Sequence, residues 1–367
     1  MGVILFRRLT LAACATAALA ATVAAPAPAA AAVPADFVGV VSEDAFATPG
    51  AYRKNTLVAQ RSSGVGAIRQ TFDWALIERR PKQYDLEFFD EYVADTARAG
   101  ITVLPILFNP PKFHSSKPRR GAKRGTYPPK RAQSMASFAQ VLVLRYGPKG
   151  SFWADNPSVP KQPIRAWQIW NEPNLKAYWP SGPNARQYTA LLKVVARKIH
   201  RLDPQAEVVT AGMPQSRIGV PLKKYVNAMY KAGAASAFDT LAVNPYARDA
   251  KGVVRFLNGM RKLMNRHGDR AAGIRATELG WSDTGPPSPF RVGSEMQAQH
   301  LGDVVTALAG ARNRLRLRGF SYFAWRDAEP YAGGKDFWGL HTGLLDLQGQ
   351  PKPALERFAT AARSILG

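Results

Sequence analysis

The sequence is poor in residues on which several common chemistries depend. Its 367 residues include one cysteine and five histidines, which excludes a disulfide framework. The histidines are scattered without H-E-x-x-H spacing, so a catalytic zinc is not expected. The sequence also has no P-loop, no G-x-G-x-x-G after the first strand and no Gly-x-Ser-x-Gly elbow, which disfavours nucleotide cofactors and an α/β-hydrolase. We therefore expect no cofactor and no metal.

Acidic residues are scarce as well. The 26 Asp and Glu residues face 50 Lys and Arg, a formal net charge of +24, and such an excess first suggests nucleic acid, an anionic membrane or an acidic polymer as partner. The basic residues are interleaved with prolines and no known binding module is recognisable, so we expect no nucleic-acid partner. The hydrophobic content of 46% excludes disordered and collagen-like classes. The length suits two or three ordinary domains or one α/β barrel.

The start of the chain has the pattern of an export signal. Arg7 and Arg8 precede the apolar run Leu9–Ala25, and an Ala/Pro stretch with A-x-A-type sites ends near Ala32. This predicts a signal peptide over residues 1–32, cleaved from a secreted, monomeric protein of residues 33–367. The run is too rich in alanine, and too short before Pro26, to predict a stable membrane span.

Cys14 leaves a second interpretation open. It lies in Leu-Ala-Ala-Cys, which resembles the lipobox of bacterial lipoproteins and would imply a lipid anchor. The alternative is a small apolar residue within the cleaved leader, because the apolar run continues well past it.

Beyond Val33, short apolar runs alternate with amphipathic stretches. Eight runs read as buried strands, namely Phe37–Val41, Gly66–Arg69, Ile101–Leu107, Ile164–Trp170, Glu207–Ala211, Thr240–Asn244, Ile274–Glu278 and Gly319–Trp325. Helical patterns lie between and after them, such as Phe88–Ala99, Met135–Arg145, Arg186–Leu202, Leu222–Lys231, Val253–Arg266, Glu295–Ala311 and Ala354–Ile365. Continuous apolar strands that alternate with helices indicate a parallel sheet. We therefore predict an α/β protein with a single-domain (β/α)8 TIM barrel.

Two glutamates terminate strands of this predicted barrel. Glu172 follows the fourth strand in Trp170-Asn171-Glu172-Pro173-Asn174, and Glu278 ends the seventh in Thr277-Glu278-Leu279-Gly280-Trp281. Barrel enzymes assemble their sites at the carboxyl ends of strands, and a carboxylate there is costly unless it is paired or used. Taken singly, Glu172 could cap the next helix and Glu278 could pair with a loop arginine. Together they favour a site with two carboxylates.

These segments resemble those of a known enzyme clan. Trp170–Asn174 is similar to the acid/base segment, and Thr277–Trp281 to the nucleophile strand, of the retaining (β/α)8 glycoside hydrolases of clan A, which includes families 5 and 39. The similarity of arrangement runs from the Val38-Gly39-Val40 strand to the closing Pro351-Lys352-Pro353 segment.

The resemblance implies specific roles. Glu172 would be the general acid/base, Glu278 the nucleophile, and Asn171 the amide that holds the sugar 2-hydroxyl. Arg69 matches the arginine that relatives place under the nucleophile. Aromatic positions that line the sugar site are matched by Tyr246 and Trp325. The chain departs from many relatives in having Asn244 where they carry histidine, which bears on the sugar contacts more than on the catalytic pair.

The chemistry of retention requires these residue types independently. One carboxylic acid protonates the leaving oxygen while an ionised carboxylate attacks the anomeric carbon, the two lying about 5–5.5 Å apart. Arg69 and Tyr246 are candidates to keep Glu278 ionised, and Glu172 would then retain its proton beside that charge. Trp281 is a further candidate substrate contact, because sugar rings pack on aromatic faces. The alternative is that it fills the upper core.

Much of the basic excess gathers after the third strand. The segment Pro110–Arg131 has no acidic residue and eight basic ones, namely Lys112, Lys117, Arg119, Arg120, Lys123, Arg124, Lys130 and Arg131. Its glycines and prolines predict a long loop on the active-site face. The loop could attract an anionic glycan, or it could be the solvated surface of a basic exported protein.

Two function classes are compatible with the sequence. The first is an exported retaining glycosidase acting on an oligo- or polysaccharide. The second is a catalytically weak glycan-binding barrel that docks to anionic cell-surface polymers. The presence of Glu at both catalytic positions favours the enzyme.

Overall fold

The computed structural model describes residues 1–2, 32–330 and 334–367. The chain divides into two units, Met1–Ala32 and Val33–Gly367, and the described strands and helices all lie in the second. The run Leu9–Ala25 and Cys14 lie outside the described residues, so the signal peptide and the lipid anchor stay predictions. Among the described residues, no helix is long and apolar enough to cross a membrane.

The second unit is a closed barrel of parallel strands with helices around it, as the alternating pattern predicts. The strands are β1 Val38–Val40, β2 Ala67–Asp73, β3 Thr102–Phe108, β4 Ala166–Ile169, β5 Glu207–Val209, β6 Met213–Pro214, β7 Thr240–Asn244, β8 Gly273–Leu279 and β9 Leu317–Tyr322. β1 pairs with both β2 and β9, and β5 and β6 each pair with β7, which closes the ring. β5 and β6 share the fifth barrel position, so there are eight positions in all.

Helices surround this sheet, and the longer ones cover its outside. They are α1 Glu43–Ala47, α2 Ala51–Ser62, α3 Trp74–Ile77, α4 Glu87–Arg98, α5 Ala132–Tyr146, α6 Ser151–Asp155, α7 Ala185–Leu202, α8 Leu222–Lys231, α9 Ala250–Arg266, α10 Ser294–Leu315 and α11 Pro353–Leu366, with short 3₁₀ turns at Ala234–Ser236 and Trp338–His341. In α7 the buried residues Leu191, Val195 and Ile199 recur at helical spacing, so one stripe of the helix packs on the strands.

The strands differ from their predicted bounds in ways that matter for the site. β2 continues to Asp73 and pairs with β3 over its whole length, from Ala67↔Thr102 to Asp73↔Phe108, although Gln70–Asp73 is not an apolar run. Arg69 therefore lies within the strand rather than at its end. β9 ends at Tyr322, which leaves Trp325 in the segment after it.

A partly buried ion pair joins two strands across the barrel. Arg275 on β8 donates from Nε and Nη2 to the carboxylate of Glu207 on β5, at 3.0 and 2.9 Å. Desolvation alone would raise the pKa of Glu207, but the guanidinium outweighs it and lowers that pKa. The charged pair thus satisfies both groups inside the barrel, a bidentate geometry that favours the ionised forms.

Candidate active site

Two strands bring the predicted carboxylates to the carboxyl-terminal end of the barrel. Glu278 lies in β8, and Glu172 follows β4. The backbone leaves β4 through an unusual turn, with positive φ at Trp170 (76°) and at Glu172 (41°). Non-glycine residues adopt this region at a cost of about 1–3 kcal/mol, typically at functional sites. The backbone N–H of Glu172 donates to the carbonyl oxygen of Gly212 at 3.1 Å, which holds the turn in place.

Arg69 connects the two sides of the site. Its guanidinium donates to Glu278 Oε1 at 2.7 Å, to Asn171 Oδ1 at 2.9 Å and to Gln168 Oε1 at 2.8 Å. The Arg69 side chain is only 3% exposed, and its partners provide the charge and hydrogen bonds that a buried cation requires. Because Oδ1 of Asn171 faces the guanidinium, the other amide atom, Nδ2, is directed away from it.

Glu278 accepts hydrogen bonds on both carboxylate oxygens. Arg69 reaches Oε1, and the hydroxyl of Tyr246 donates to Oε2 at 3.0 Å. Desolvation, with the charges of Glu278 and Glu172, holds the pKa of Tyr246 well above its usual range, so the phenol keeps its proton and acts as donor. This arrangement suits an ionised carboxylate.

Glu172 has a different environment. It is 8% exposed, and the amide of Asn244 donates to its Oε1 at 2.8 Å. Burial, and then the nearby charge of Glu278, raise the pKa of Glu172 to about 8, whereas Asn244 and Arg69 act in the opposite direction. A carboxyl group at this position holds its proton at neutral pH.

Asn244 is fixed by residues that sequence reasoning missed. The hydroxyl of Thr277 donates to Asn244 Oδ1 at 2.8 Å, which turns the amide nitrogen toward Glu172. Gly212 lies beneath them, and a Cβ there would be 2.6 Å from Asn244 Oδ1. Glycine is therefore required at this position, because the side chains of Asn244 and Thr277 approach its backbone closely. Its only signal in the sequence is that it directly follows the predicted fifth strand, Glu207–Ala211.

Aromatic residues form one side of the site. The ring of Tyr246 lies 5.0 Å from that of Trp338 and 5.8 Å from that of Phe290, measured between centroids. Trp338 begins a 3₁₀ turn and is half-buried. The sequence analysis did not single out Trp338 or Phe290, because neither follows directly on a strand.

A polar cavity of about 420 Å³ opens on the other side. It is lined by residues that include Glu43, Gln70, Asp73, Asn109, Thr126 and Asn171. Gln70 Nε2 donates to Glu43 Oε2 at 3.3 Å, and Asn109 Nδ2 to Asp73 Oδ2 at 2.8 Å. These amide and carboxylate groups are of the kind that hold sugar hydroxyls.

Two of the predicted substrate contacts are buried in the structure. Trp281 and Trp325 are 0% and 1% exposed. The indole nitrogen of Trp281 donates to Ala247 O at 2.8 Å, and its ring packs near His300. Neither indole presents an open face on which a sugar could stack, so the structure gives both a packing role. Tyr246, Asn171 and Arg69, by contrast, contact one another or the carboxylates.

The described residues show no metal centre. Within residues 32–330 and 334–367 there is no group of three or more His, Cys, Asp or Glu side chains that could hold a metal ion.

The whole barrel is similar to solved glycoside hydrolases. It matches a family 39 glycoside hydrolase from Bacteroides cellulosilyticus WH2 with a TM-score of 0.62 at 18% identity, over 90% of this chain and 63% of that one. The GH39 enzyme from Xanthomonas axonopodis pv. citri matches with a TM-score of 0.63 at 16% identity, over 88% and 65%. The GH53 catalytic domain from Ignisphaera aggregans matches with a TM-score of 0.58 at 19% identity, over 89% of this chain and 96% of that one.

Comparison by sequence gives no match. No protein-family model matches the chain, and neither does any curated protein. The chain also spans less than two thirds of the two GH39 structures that it resembles. At these identities the likeness establishes the fold, which is the (β/α)8 barrel of these glycoside hydrolases.

Proposed function

We propose that this protein is an exported retaining glycosidase that hydrolyses O-glycosidic bonds of an oligo- or polysaccharide. The observation that carries the proposal is the contrast between two carboxyl groups at the same end of the barrel. Glu278 accepts from a guanidinium and a phenol, while the pKa of Glu172 is raised to about 8. One ionised and one protonated carboxyl group are what double displacement needs.

The proposed first step forms a glycosyl-enzyme. The carboxylate of Glu278 attacks the anomeric carbon as the bond to the leaving oxygen breaks, and Glu172 donates its proton to that oxygen. Nδ2 of Asn171 is directed away from Arg69 and can donate to the sugar 2-hydroxyl. Arg69 meanwhile holds both Asn171 and Glu278, so one side chain positions nucleophile and amide together.

The second step reverses the role of Glu172. Once Glu278 is esterified its negative charge is gone, and that charge is one of the causes that raise the pKa of Glu172. The pKa of Glu172 therefore falls, so that after the first step Glu172 stays an ionised carboxylate. It takes a proton from water only as the water attacks the anomeric carbon. The attack releases the sugar with its original anomeric configuration and restores the carboxylate of Glu278.

The test is digestion of a broad polysaccharide panel, with NMR to follow the anomer of the first product. We expect retention, and we expect Glu278→Gln to lower turnover by about 10⁴-fold or more with little change in thermal stability. An inverted first product would contradict the double displacement. Substantial residual turnover in Glu278→Gln would contradict the assignment of Glu278 as the nucleophile. Binding without turnover on every glycan would favour the second candidate, a glycan-binding barrel docked through its positive charge.

A further inference from the structure

The loop between β3 and α5 covers a cavity of its own. This basic cavity measures about 780 Å³, within the size range of ligand sites. Among the described residues, four cationic side chains line it, namely Lys112, Lys117, Arg119 and Lys130, and no carboxylate does. The walls between them are prolines, Phe113 and Tyr127. A cavity of this composition is suited to a ligand that carries negative charge and has a partly apolar surface.

In the part of the chain that the structure describes, the four cations have no acidic partners. Within residues 32–330 and 334–367, none of them forms an ion pair with a carboxylate. Lys130 Nζ donates to Phe113 O at 3.3 Å. Elsewhere in the barrel, arginines such as Arg69, Arg145 and Arg275 are each matched to a carboxylate. Like charges gathered at one cavity repel one another, and a bound anion would relieve that repulsion.

The loop is shaped by its own hydrogen bonds. Its two halves are joined by Ser116 N to Pro128 O at 2.9 Å and by Lys130 N to His114 O at 2.7 Å. Its tip is tied to the loop after β4, since Thr126 N donates to Ala177 O at 2.9 Å. A pre-shaped wall loses less conformational entropy when a ligand binds.

The basic cavity adjoins the cavity beside the candidate active site. Asn109 and Thr126 line both it and the 420 Å³ cavity that reaches Asn171 and Glu43. A glycan held at Asn171 that passes Thr126 would approach the four cations. An anionic group on a sugar unit some way from the cleaved bond would enter the basic cavity.

We infer that the basic cavity is a subsite for an oxyanion, a uronic-acid carboxylate or a sulfate ester, on the glycan cleaved at Glu172 and Glu278. The inference rests on the proposed glycosidase function and adds its substrate class. Three of the four cations are lysines, which act as compact point charges rather than planar forks. The subsite thus selects charge at a position, and the choice between the two anions is left to the rest of the glycan.

Binding to the full chain carrying Glu278→Gln tests this without turnover. The probes are hexauronates of galacturonate, glucuronate and mannuronate, their carboxyl-reduced counterparts, and sulfated maltohexaose beside maltohexaose. We expect one anionic probe to bind about tenfold more tightly than its neutral counterpart, the effect of about one charge-assisted hydrogen bond. The preference should shrink as ionic strength rises. A preference for a hexauronate would identify the carboxylate as the group that the subsite binds. A preference for sulfated maltohexaose would identify the sulfate.

Two matched variants locate the effect. The first changes the four cavity cations to Gln. The control removes the same number of charges from exposed positions on α7, α8 and α9, namely Arg197, Lys223, Lys262 and Arg266. The cavity variant should bind charged and neutral probes alike, whereas the control keeps the preference. Equal loss in both variants, or no preference in the parent protein, would overturn the inference.

Failure of the subsite and failure of the proposed function give different results. If the glycosidase proposal fails, the chain with Glu278 intact cleaves no glycan, yet a preference for anionic probes can still be measured. If only the subsite fails, the chain cleaves a glycan and the cavity variant retains the same ratio of kcat/KM between charged and neutral substrates.

Discussion

Glu172 and Glu278 are the same residue type at the same end of one barrel, but their neighbours differ. Arg69 and Tyr246 donate to Glu278, whereas Glu172 is buried beside a neutral amide from Asn244. The charge of Glu278 then adds to desolvation in raising the pKa of Glu172. Neighbouring side chains thus give the two carboxyl groups different electrostatic environments.

The alkaline limb of activity should report Glu172. Its pKa of about 8 means that kcat/KM of the wild type falls above about pH 8, as the acid loses its proton. Asn244→Ala removes a hydrogen bond that lowers this pKa, so the limb should move to higher pH while kcat falls. The exposed Asn55 on α2 offers a control, Asn55→Ala, that leaves the profile unchanged. A limb displaced to lower pH in Asn244→Ala would contradict the assignment.

Burial of Glu172 should also be visible in stability, with no substrate present. Its folded-state pKa lies above the ordinary value of 4.5, so the folded protein binds the proton more tightly than the unfolded chain. The free energy of unfolding therefore falls as pH rises from about 4.5 to 8. Glu172→Gln cannot ionise and should be more stable than the wild type at pH 8 by about 2 kcal/mol or more.

Denaturant unfolding at pH 4 and pH 8 measures this difference. The gap between Glu172→Gln and the wild type should nearly close at pH 4, where Glu172 is protonated in the folded state and largely so in the unfolded chain. A gap of the same size at both pH values would show that packing, rather than ionisation, is its cause.

At the scale of elements, the fifth barrel position is the least regular and the most informative. The strand is split into β5 and β6, and Gly212 between them carries the carbonyl that accepts from Glu172. Asn171 forms a bridge to Gly212, so the end of β4 is positioned by this irregular segment. The sequence predicts one strand over Glu207–Ala211, because apolar patterning does not register a break of this kind.

Gly212→Ala should damage the site more than the fold. The added Cβ would overlap Thr277 Oγ1 and lie 2.6 Å from Asn244 Oδ1, so Asn244 must move away from Glu172. We expect a loss of about 1–3 kcal/mol in stability and a fall of at least tenfold in kcat/KM. Gly259→Ala on α9 is the control, since among the described residues no atom beyond its chain neighbours and the backbone of its own helix lies within 4 Å of the added Cβ. It should stabilise the protein by up to about 1 kcal/mol without altering kinetics.

At the scale of the whole molecule, a buried lysine ties the end of the chain to the barrel. Lys352, just before α11, contacts Asp283 at 2.7 Å and Asp327 at 2.6 Å. Asp283 follows β8 and Asp327 follows β9, so one ammonium group joins three segments. Desolvation raises the pKa of Asp327, although Lys352 opposes that shift.

Lys352→Gln should cost about 3 kcal/mol at neutral pH, because it leaves two carboxylates buried without a cation. The pKa of Asp327 would rise further in the variant, so its folded state binds more protons and its stability falls as pH increases. The deficit relative to wild type should therefore be smaller at pH 4 than at pH 7, measured by denaturant unfolding. Lys262→Gln on the exposed face of α9 is the control, and it should leave the free energy of unfolding unchanged at both pH values. A deficit of the same size at pH 4 and pH 7 in Lys352→Gln would contradict the charge argument.

The sequence by itself determined the barrel and the position of both glutamates at the ends of strands. Strand and helix periodicities are local properties, and each glutamate lies at the end of an apolar run, so neither inference needed a tertiary contact. The resemblance added Arg69, Asn171 and Tyr246, and the structure brings these three together with Glu278 in one network.

Only the tertiary structure decided what surrounds them. Trp281 and Trp325 follow strands as a substrate contact would, yet packing buries both, while Trp338 reaches Tyr246 from a distant turn. The bond from Asn244 to Glu172 spans 72 residues, and that from Arg69 to Glu278 spans 209. The proton affinity of a carboxyl group depends on such distant neighbours, because desolvation and charge act through space rather than along the chain.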